Sequence, residues 1–330
     1  MTPLVTVLVP MYNRQQYIED CVRSVQAQSW GEWELLLVDD GSTDDTVKLC
    51  RTMAQADSRI RLVFSDHGGV SRARNQGLEL ARGKYVFFLD SDDVIHPLLL
   101  ETLVLAMERQ GTPIAGSLRH HVPERGWHKV PEVMARQTQL GHTDLKDHEA
   151  MLEAVFTTQT PLNVIGGVMI RRDWIGQTRF REDLYIGEDF YFVYENMIKG
   201  AEALFLREVW YYARLHESNL SWDFAYSGFA NRLYRRELVW QQEEAFGRPQ
   251  YANVQKRQVY GIWLKCLSKK TVNRSDKAQM RKTMRAYRKT LFPGLTLLMK
   301  LSYIGFAYLP VMTPILLLFW KFYKKIRKNP

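Results

Sequence analysis

Cysteine is scarce in this chain: Cys21, Cys50 and Cys266 are three in 330 residues, far apart and odd in number. That scarcity argues against a disulfide framework and against a structural zinc site, and it fits a reducing cytoplasm. No basic segment precedes the first apolar run, LVTVLVP at Leu4–Pro10, and the run is too short for a signal-peptide core with its cleavage site, so export is not expected. Histidines at metal-ligand spacing are missing too, because His120 with His121 and His142 with His148 match no zinc pattern. There is no internal repeat and no low-complexity linker.

Charge is present but uneven. The net +9 divides into +12 from Arg274 onward, where thirteen Lys or Arg face one acid, Asp276, and −3 for everything before it. A basic run beside apolar residues points to an anionic membrane surface or another polyanion; a solvated helix face is the plainer alternative.

The first 120 residues alternate between two periods, the pattern of strands joined by helices. Strands are expected at Leu4–Pro10, Glu34–Asp40, Ile60–Phe64 and Lys84–Asp90. Helices follow each, with Ile18, Cys21, Val22 and Val25 at helical spacing in the first. Ser42 with Asp45 resembles a capping box for the second, Gly83 stops the third, and Pro97 opens the fourth. Strands this apolar are covered on both faces, so a mainly parallel α/β sheet flanked by helices is expected. In such sheets ligands bind beyond the carboxyl ends of the strands. Tyr12 and Asn13, Asp39 and Asp40, and Asp90 and Asp92 all fall just past strand ends. Turn formation and helix capping account for Asp44 and Asp45, but capping needs one acid and not the cluster in FFLDSDDV, Phe87–Val94.

Two carboxylates one residue apart at a strand end can hold a hard divalent cation, with its remaining positions left to phosphate oxygens and water. Without a cation, clustered acids repel and raise one another's pKa values, so a metal that stabilises a leaving diphosphate explains the charge. The same DSDDV also fits the signature of haloacid-dehalogenase-type phosphohydrolases, with Asp90 as nucleophile, although that family carries the motif on its first strand and here it ends the fourth. A non-catalytic glycan- or membrane-binding module, with an empty metal site, is the other alternative.

With VTVLVPMYNR, LLLVDDGSTDDT, GGVSRARNQGLELARGKYVFFLDSDD and GEDFYF in this order, residues 4–222 resemble bacterial family 2 glycosyltransferases of the GT-A fold, most of all those that build O-antigen, capsule or lipopolysaccharide core. The resemblance implies a nucleotide-diphospho-sugar transferase with a Rossmann-like sheet over 1–222. Residues 1–118 would form its nucleotide-sugar half and 119–222 its acceptor half, followed by a basic helical extension at 223–290 and a membrane-associated segment at 291–330. It implies an inverting, single-displacement transfer from a UDP-sugar, with Mn2+ or Mg2+, to a hydroxyl of a lipid-linked glycan. Pro10, Tyr12 and Asn13 match the motif that cradles the base, and Asp40 the acid that contacts uracil or ribose. Arg74 and Asn75 match the helix near nucleotide and sugar. Asp90, Ser91 and Asp92 match the D-x-D that reaches ribose and metal, Asp189 the general base, and His216 a position that helps hold metal or diphosphate. No nucleic-acid partner is implied.

The residues themselves support these roles unequally. Glu188 beside Asp189, followed by Phe190, Tyr191 and Phe192, supplies a like charge and an apolar setting, both of which raise a carboxylate toward the pKa a general base needs. An acid pair before an apolar run is also a helix start signal. A lone His216 is as readily a hydrogen-bonded structural residue as a ligand. Trp210, Tyr211 and Tyr212 suit either an acceptor sugar or the core. Arg214 suits either a diphosphate or a surface acid.

Leu301–Trp320 is uncharged for twenty residues, long enough to span a bilayer. Pro310 and Pro314 interrupt it, and spanning would carry the five positive charges of KFYKKIRKNP across. An interfacial or re-entrant helix pair at the cytoplasmic face of the inner membrane is therefore expected, a buried helix being the alternative.

Overall fold

Alternating apolar periods in the N-terminal part fold into β1 (Val5–Met11), α1 (Ile18–Gln26), β2 (Trp33–Asp39), α2 (Thr46–Ala56), β3 (Ile60–Phe64), α3 (Val70–Leu80) and β4 (Tyr85–Phe88). This computed structural model describes residues 3–136, 138–157, 164–216 and 225–295, with 299, 300, 303, 304 and 307. The chain separates into two units, Met1–Asn219 and Leu220–Pro330.

The remaining strands of the first unit are β5 (Val94–Ile95), β6 (Ile114–Pro123), β7 (Thr143–Lys146), β8 (Val168–Arg171) and β9 (Ala203–Leu215). They join one sheet in the order β3-β2-β1-β4-β8-β6-β9-β5, with β7 on β9. Strands β1 to β4 pair in parallel. The expected Rossmann-like sheet is present, parallel through β1 to β4, with a mixed remainder: β8 runs antiparallel to β4 and β6, β5 and β7 run antiparallel to β9, and β6 pairs with β9 in parallel. The sheet is thus Rossmann-like in one half and mixed in the other, flanked by helices α4 (Leu99–Gln110), α5 (Val130–Ala135), α6 (His148–Thr157), α7 (Arg172–Ile175) and α8 (Glu188–Met197).

Both faces of β1 and β2 are covered, which is why they read as continuous apolar runs. Val5, Val7, Val9, Leu35 and Leu37 join the core under α1 and α4, whereas Leu36 and Val38 pack with Ala73 of α3 on the other face. Trp210, Tyr211 and Tyr212 are core, each 2% exposed or less.

Two local readings differ from the structure. No capping box forms on α2: Ser42 Oγ accepts the Asn13 N–H at 2.9 Å, the N-cap residue Asp45 makes no side-chain cap bond, and it is Asp44 that accepts from Thr46 N at 3.0 Å. Helix α3 ends at Leu80, before Gly83. Gly83 serves close packing instead, since a Cβ there would lie 2.5 Å from Thr6 N and 2.8 Å from Tyr85 O.

The second unit contains α9 (Tyr226–Ala245), α10 (Pro249–Ser268), α11 (Arg274–Ala286) and α12 (Arg288–Leu291). Phe229, Trp240, Tyr260, Trp263, Met280 and Met284 form its core, and Asn273 Oδ1 caps α11 by accepting Asp276 N at 2.8 Å. The uncharged run 301–320 lies outside the described residues except at 303, 304 and 307. Among the described residues no helix is long and apolar enough to cross a membrane.

Because the obstacles around Gly83 are backbone atoms that cannot rotate away, Gly83→Ala should destabilise the first unit by about 1–3 kcal/mol, as overpacking does. Urea unfolding followed by tryptophan fluorescence measures this, and an unchanged midpoint would contradict the close packing.

Candidate active site

The carboxyl end of β4 is where the charged side chains converge. Asp90 to Asp93 form a turn closed by the Asp93 N–H on the Asp90 carbonyl at 3.1 Å, after which β5 pairs with Tyr211 and Tyr212 of β9. The acids are met by cations rather than left to repel. Asp90 faces Arg74 of α3 at 3.1 Å and Arg119 of β6 at 3.6 Å, and its N–H donates to the Tyr211 hydroxyl at 3.1 Å. Asp92 Oδ2 lies 2.7 Å from His216 Nε2 and 3.9 Å from Arg14 Nε. Burial works to raise the Asp92 carboxyl, but the His216 hydrogen bond and the Arg14 charge outweigh it and hold it below the ordinary range. Asp93 is 3% exposed and accepts the Arg214 backbone N–H at 2.8 Å. Burial first, then the charges of Asp92 and Asp90, push it well above the carboxylate range. Ser91 is buried in the same turn. Arginines and a histidine thus meet the carboxylates that the sequence leaves clustered, alongside any cation the turn holds.

Arg74 carries the connection to the second half of the unit. Its guanidinium bridges Asp90 and Glu188, the latter at 2.8 Å, and it is 5% exposed. It stands over Phe180 at 5.2 Å, and Phe180 stacks on Phe192 of α8 with centroids 3.9 Å apart and planes 5° apart. Phe88 of β4 meets both rings edge-on at 5.7 Å. Those rings dock the start of α8 against the end of β4. Neither acid of the GEDF motif is the N-cap residue; that position is Gly187, in the left-handed region at φ 86°. Glu188 and Asp189 occupy the first turn, where the helix dipole favours negative charge. Glu188 is the carboxyl that burial, then Asp189, pushes up to about 7 against the opposing Arg74. Asp189 is half-buried beside it.

On the other side of β4, Pro10 lies beyond Leu8, where the β1–β4 ladder ends, so its missing N–H costs no rung. Tyr12 is 41% exposed with its ring 4.8 Å from that of His67. Asn13 takes a left-handed backbone, φ 52°, and accepts the Thr43 N–H at 2.8 Å. Asp40 is 5% exposed, its two oxygens accepting the N–H groups of Gly68 and Gly69 at 2.9 and 2.8 Å. Asn75 is committed to the loop before α8, giving its amide to Phe180 O at 2.9 Å and accepting Phe180 N at 2.7 Å.

The structure thus gathers Arg74, Asp90, Ser91, Asp92, Asp189 and His216 around one turn and sets Pro10, Tyr12, Asn13 and Asp40 at the neighbouring strand ends. Sequence reading missed Arg14 and Arg119. Arg119 also donates to Gly166 O at 3.0 Å, and a Cβ on Gly166 would fall 2.1 Å from Arg119 Nη2, 2.6 Å from the Tyr211 hydroxyl and 2.9 Å from Asp90 Oδ2. The GG of NVIGGVMI was the one available signal. For a divalent cation, Asp92 and His216 offer one oxygen and one nitrogen donor converging at one spot, a suitable set. Among the described residues no third His, Cys, Asp or Glu joins them.

Residues 6–178 match the profile described as "Glycosyl transferase family 2". The chain is 38% identical over 116 residues to "Uncharacterized glycosyltransferase EpsJ" of Bacillus subtilis, covering 35% of this chain and 34% of that protein. It is 49% identical over 92 residues to "Putative teichuronic acid biosynthesis glycosyltransferase TuaG" of the same organism, covering 28% and 36%. The matched region spans about a third of these relatives' length. Among solved structures, S. aureus TarS 1-349 in complex with UDP superposes with a TM-score of 0.62 at 19% identity, covering 92% of this chain and 86% of that one. Mannosyltransferase PcManGT from Pyrobaculum calidifontis, in complex with GDP-Man and Mn2+, gives 0.54 at 16%, covering 96% and 88%. At these identities the likeness establishes the GT-A-like fold alone.

Glu188 yields a prediction with a definite sign. Its folded-state pKa of about 7 lies above the 4.5 of an ordinary glutamate, so the protonated form favours folding below pH 4.5 and that contribution is lost as pH rises through 7. Relative to Glu188→Gln, the native chain should lose stability between pH 4.5 and 8 by an amount on the order of 3 kcal/mol, from about 1.36 kcal/mol per unit. Chemical denaturation of both proteins across that range checks it; a constant difference would contradict the assignment.

Proposed function

The chain belongs to glycosyl transferase family 2, and from that premise we propose that it is an inverting glycosyltransferase moving a sugar from a UDP-sugar to a hydroxyl of a lipid-linked surface glycan, of the O-antigen, capsule or lipopolysaccharide kind. The observation that carries the reading is the Arg74 bridge between Asp90 and Glu188, which puts Asp189 at the same edge of the sheet as Asp92 and His216. An acid for the acceptor and ligands for a diphosphate are then neighbours.

In this reading Tyr12, with Pro10, Asn13 and Asp40, receives the base, and Asp90 with Ser91 reaches the ribose. Arg74 orients the sugar end, and Asn75 acts by holding the loop before α8. Asp92 and His216 would hold Mn2+ or Mg2+ together with diphosphate oxygens and water. When bound, the cation supplies charge neutralisation for the departing diphosphate. Asp189 takes the proton of the acceptor hydroxyl; the oxygen bonds to the anomeric carbon as the bond to the β-phosphate oxygen breaks, and UDP leaves with that electron pair. UDP is favoured because the TarS structure of similar fold is a UDP complex. The phosphohydrolase alternative loses ground, since the family 2 profile covers the motif and the Asp90 carboxylate is paired with Arg74 and Arg119 instead of standing as a free nucleophile.

The second unit suits a place at the cytoplasmic face of the membrane. Arg274, Lys282, Arg288 and Lys289 are exposed on α11 and α12, a basic surface matched to anionic headgroups, and the uncharged run 301–320 follows. The division of the chain into a catalytic part, a basic extension and a membrane-associated segment belongs to this proposal.

Asp189→Asn should reduce transfer by about 100- to 10,000-fold, as loss of a general base does, while leaving UDP-sugar affinity nearly intact. Asp92→Asn should weaken UDP binding only when manganese is present. Radiolabelled-sugar transfer and calorimetry measure the two, and full turnover by Asp189→Asn would refute the base.

A further inference from the structure

The end of β9 and the acidic turn are tied together in both directions. Asp93 accepts the Arg214 backbone N–H at 2.8 Å, Arg214 Nε donates to the Asp92 carbonyl at 3.3 Å, and His216 Nε2 meets the Asp92 carboxylate at 2.7 Å. Arg214 is 6% exposed and is held in a slot. Its guanidinium lies 4.8 Å from the Tyr17 ring and 3.8 Å from the Trp127 ring. Its Nη2 pairs with Asp20 at 2.7 Å, and the same Asp20 oxygen accepts from Trp127 Nε1 at 3.3 Å. Tyr17 also stacks on the His216 imidazole, centroids 5.0 Å and planes 19° apart. One tyrosine therefore touches both the guanidinium and the imidazole.

We propose that Arg214, gripped between Tyr17 and Trp127, is a positioning residue that fixes Asp92 and His216 relative to each other for the diphosphate end of the donor. The proposal rests on the Asp92–His216 reading above. A surface pairing with Asp20 would need only a positive charge. This arrangement needs a planar group that meets rings through its faces while its edge donates to the Asp92 carbonyl, which arginine supplies and lysine does not. Groups that orient the residues holding a metal commonly control its affinity without touching it.

The test is calorimetric titration of the full chain with UDP, with and without manganese. Manganese should tighten UDP binding in the wild type, and Asp92→Asn should remove that gain. If manganese has no effect in the wild type, the Asp92–His216 reading fails and the positioning role falls with it. With those controls in place, Arg214→Lys should lose about tenfold or more of the manganese-dependent affinity, the scale for such orienting groups, while metal-free UDP affinity stays unchanged. Trp127→Ala, at a half-buried indole, should shift it the same way and serves if Arg214→Lys does not fold. Tyr17→Phe, which keeps the ring, should retain the gain that Tyr17→Ala loses. Unchanged manganese dependence in both Arg214→Lys and Trp127→Ala overturns the proposal. So does an equal loss with and without manganese, which marks a merely structural role.

Discussion

One buried guanidinium holds the two halves of the candidate site together. Arg74 pairs at once with Asp90, at the end of a strand, and with Glu188, 114 residues away in sequence at the start of a helix. Burial disfavours its charge, yet the carboxylates of Asp90, Glu188 and Asp189 more than compensate. Such a group is seldom a net source of stability, but deleting it strands its partners and costs about 3–5 kcal/mol. Its value is therefore one of registration: it sets where α8 begins relative to the acidic turn, with the Phe88, Phe180 and Phe192 rings beneath it supplying the apolar contact.

The acidic turn shows how a sound local argument acquires a different answer in three dimensions. From sequence, three aspartates within four positions demand neutralisation, and a metal is the natural source. The fold brings Arg14, Arg74 and Arg119 from three separate places, adds His216, and buries Asp93, whose carboxyl is pushed upward by that burial and by its acidic neighbours. A cation at Asp92 and His216 then has one task in the proposed reaction, which is to meet phosphate oxygens.

What could be read ahead of the structure was what is encoded locally. Strands β1, β2 and β4 announced themselves because both faces are buried, and the polar residues just past their ends fall where a sheet edge needs turn formers and ligands alike. Arg119 and Arg14 could not be found this way, since they meet their partners 29 and 78 positions away and carry no periodic mark. The segment after His120 was illegible for another reason: β6 is buried from Ile114 to Ser117 and then largely exposed, with polar residues, as it continues along β9 alone. The short antiparallel β8 hides equally well, four residues being too few for a period to show.

Strand β5 has only two residues, yet it clips the acidic turn to β9 directly after β4 has clipped it to β1 and β8. A segment anchored on both flanks by backbone ladders cannot swing without unzipping one of them. The stretch between α7 and α8 meets that fixed turn differently, through the Asn75 amide and the Phe180–Phe192 stack instead of a ladder.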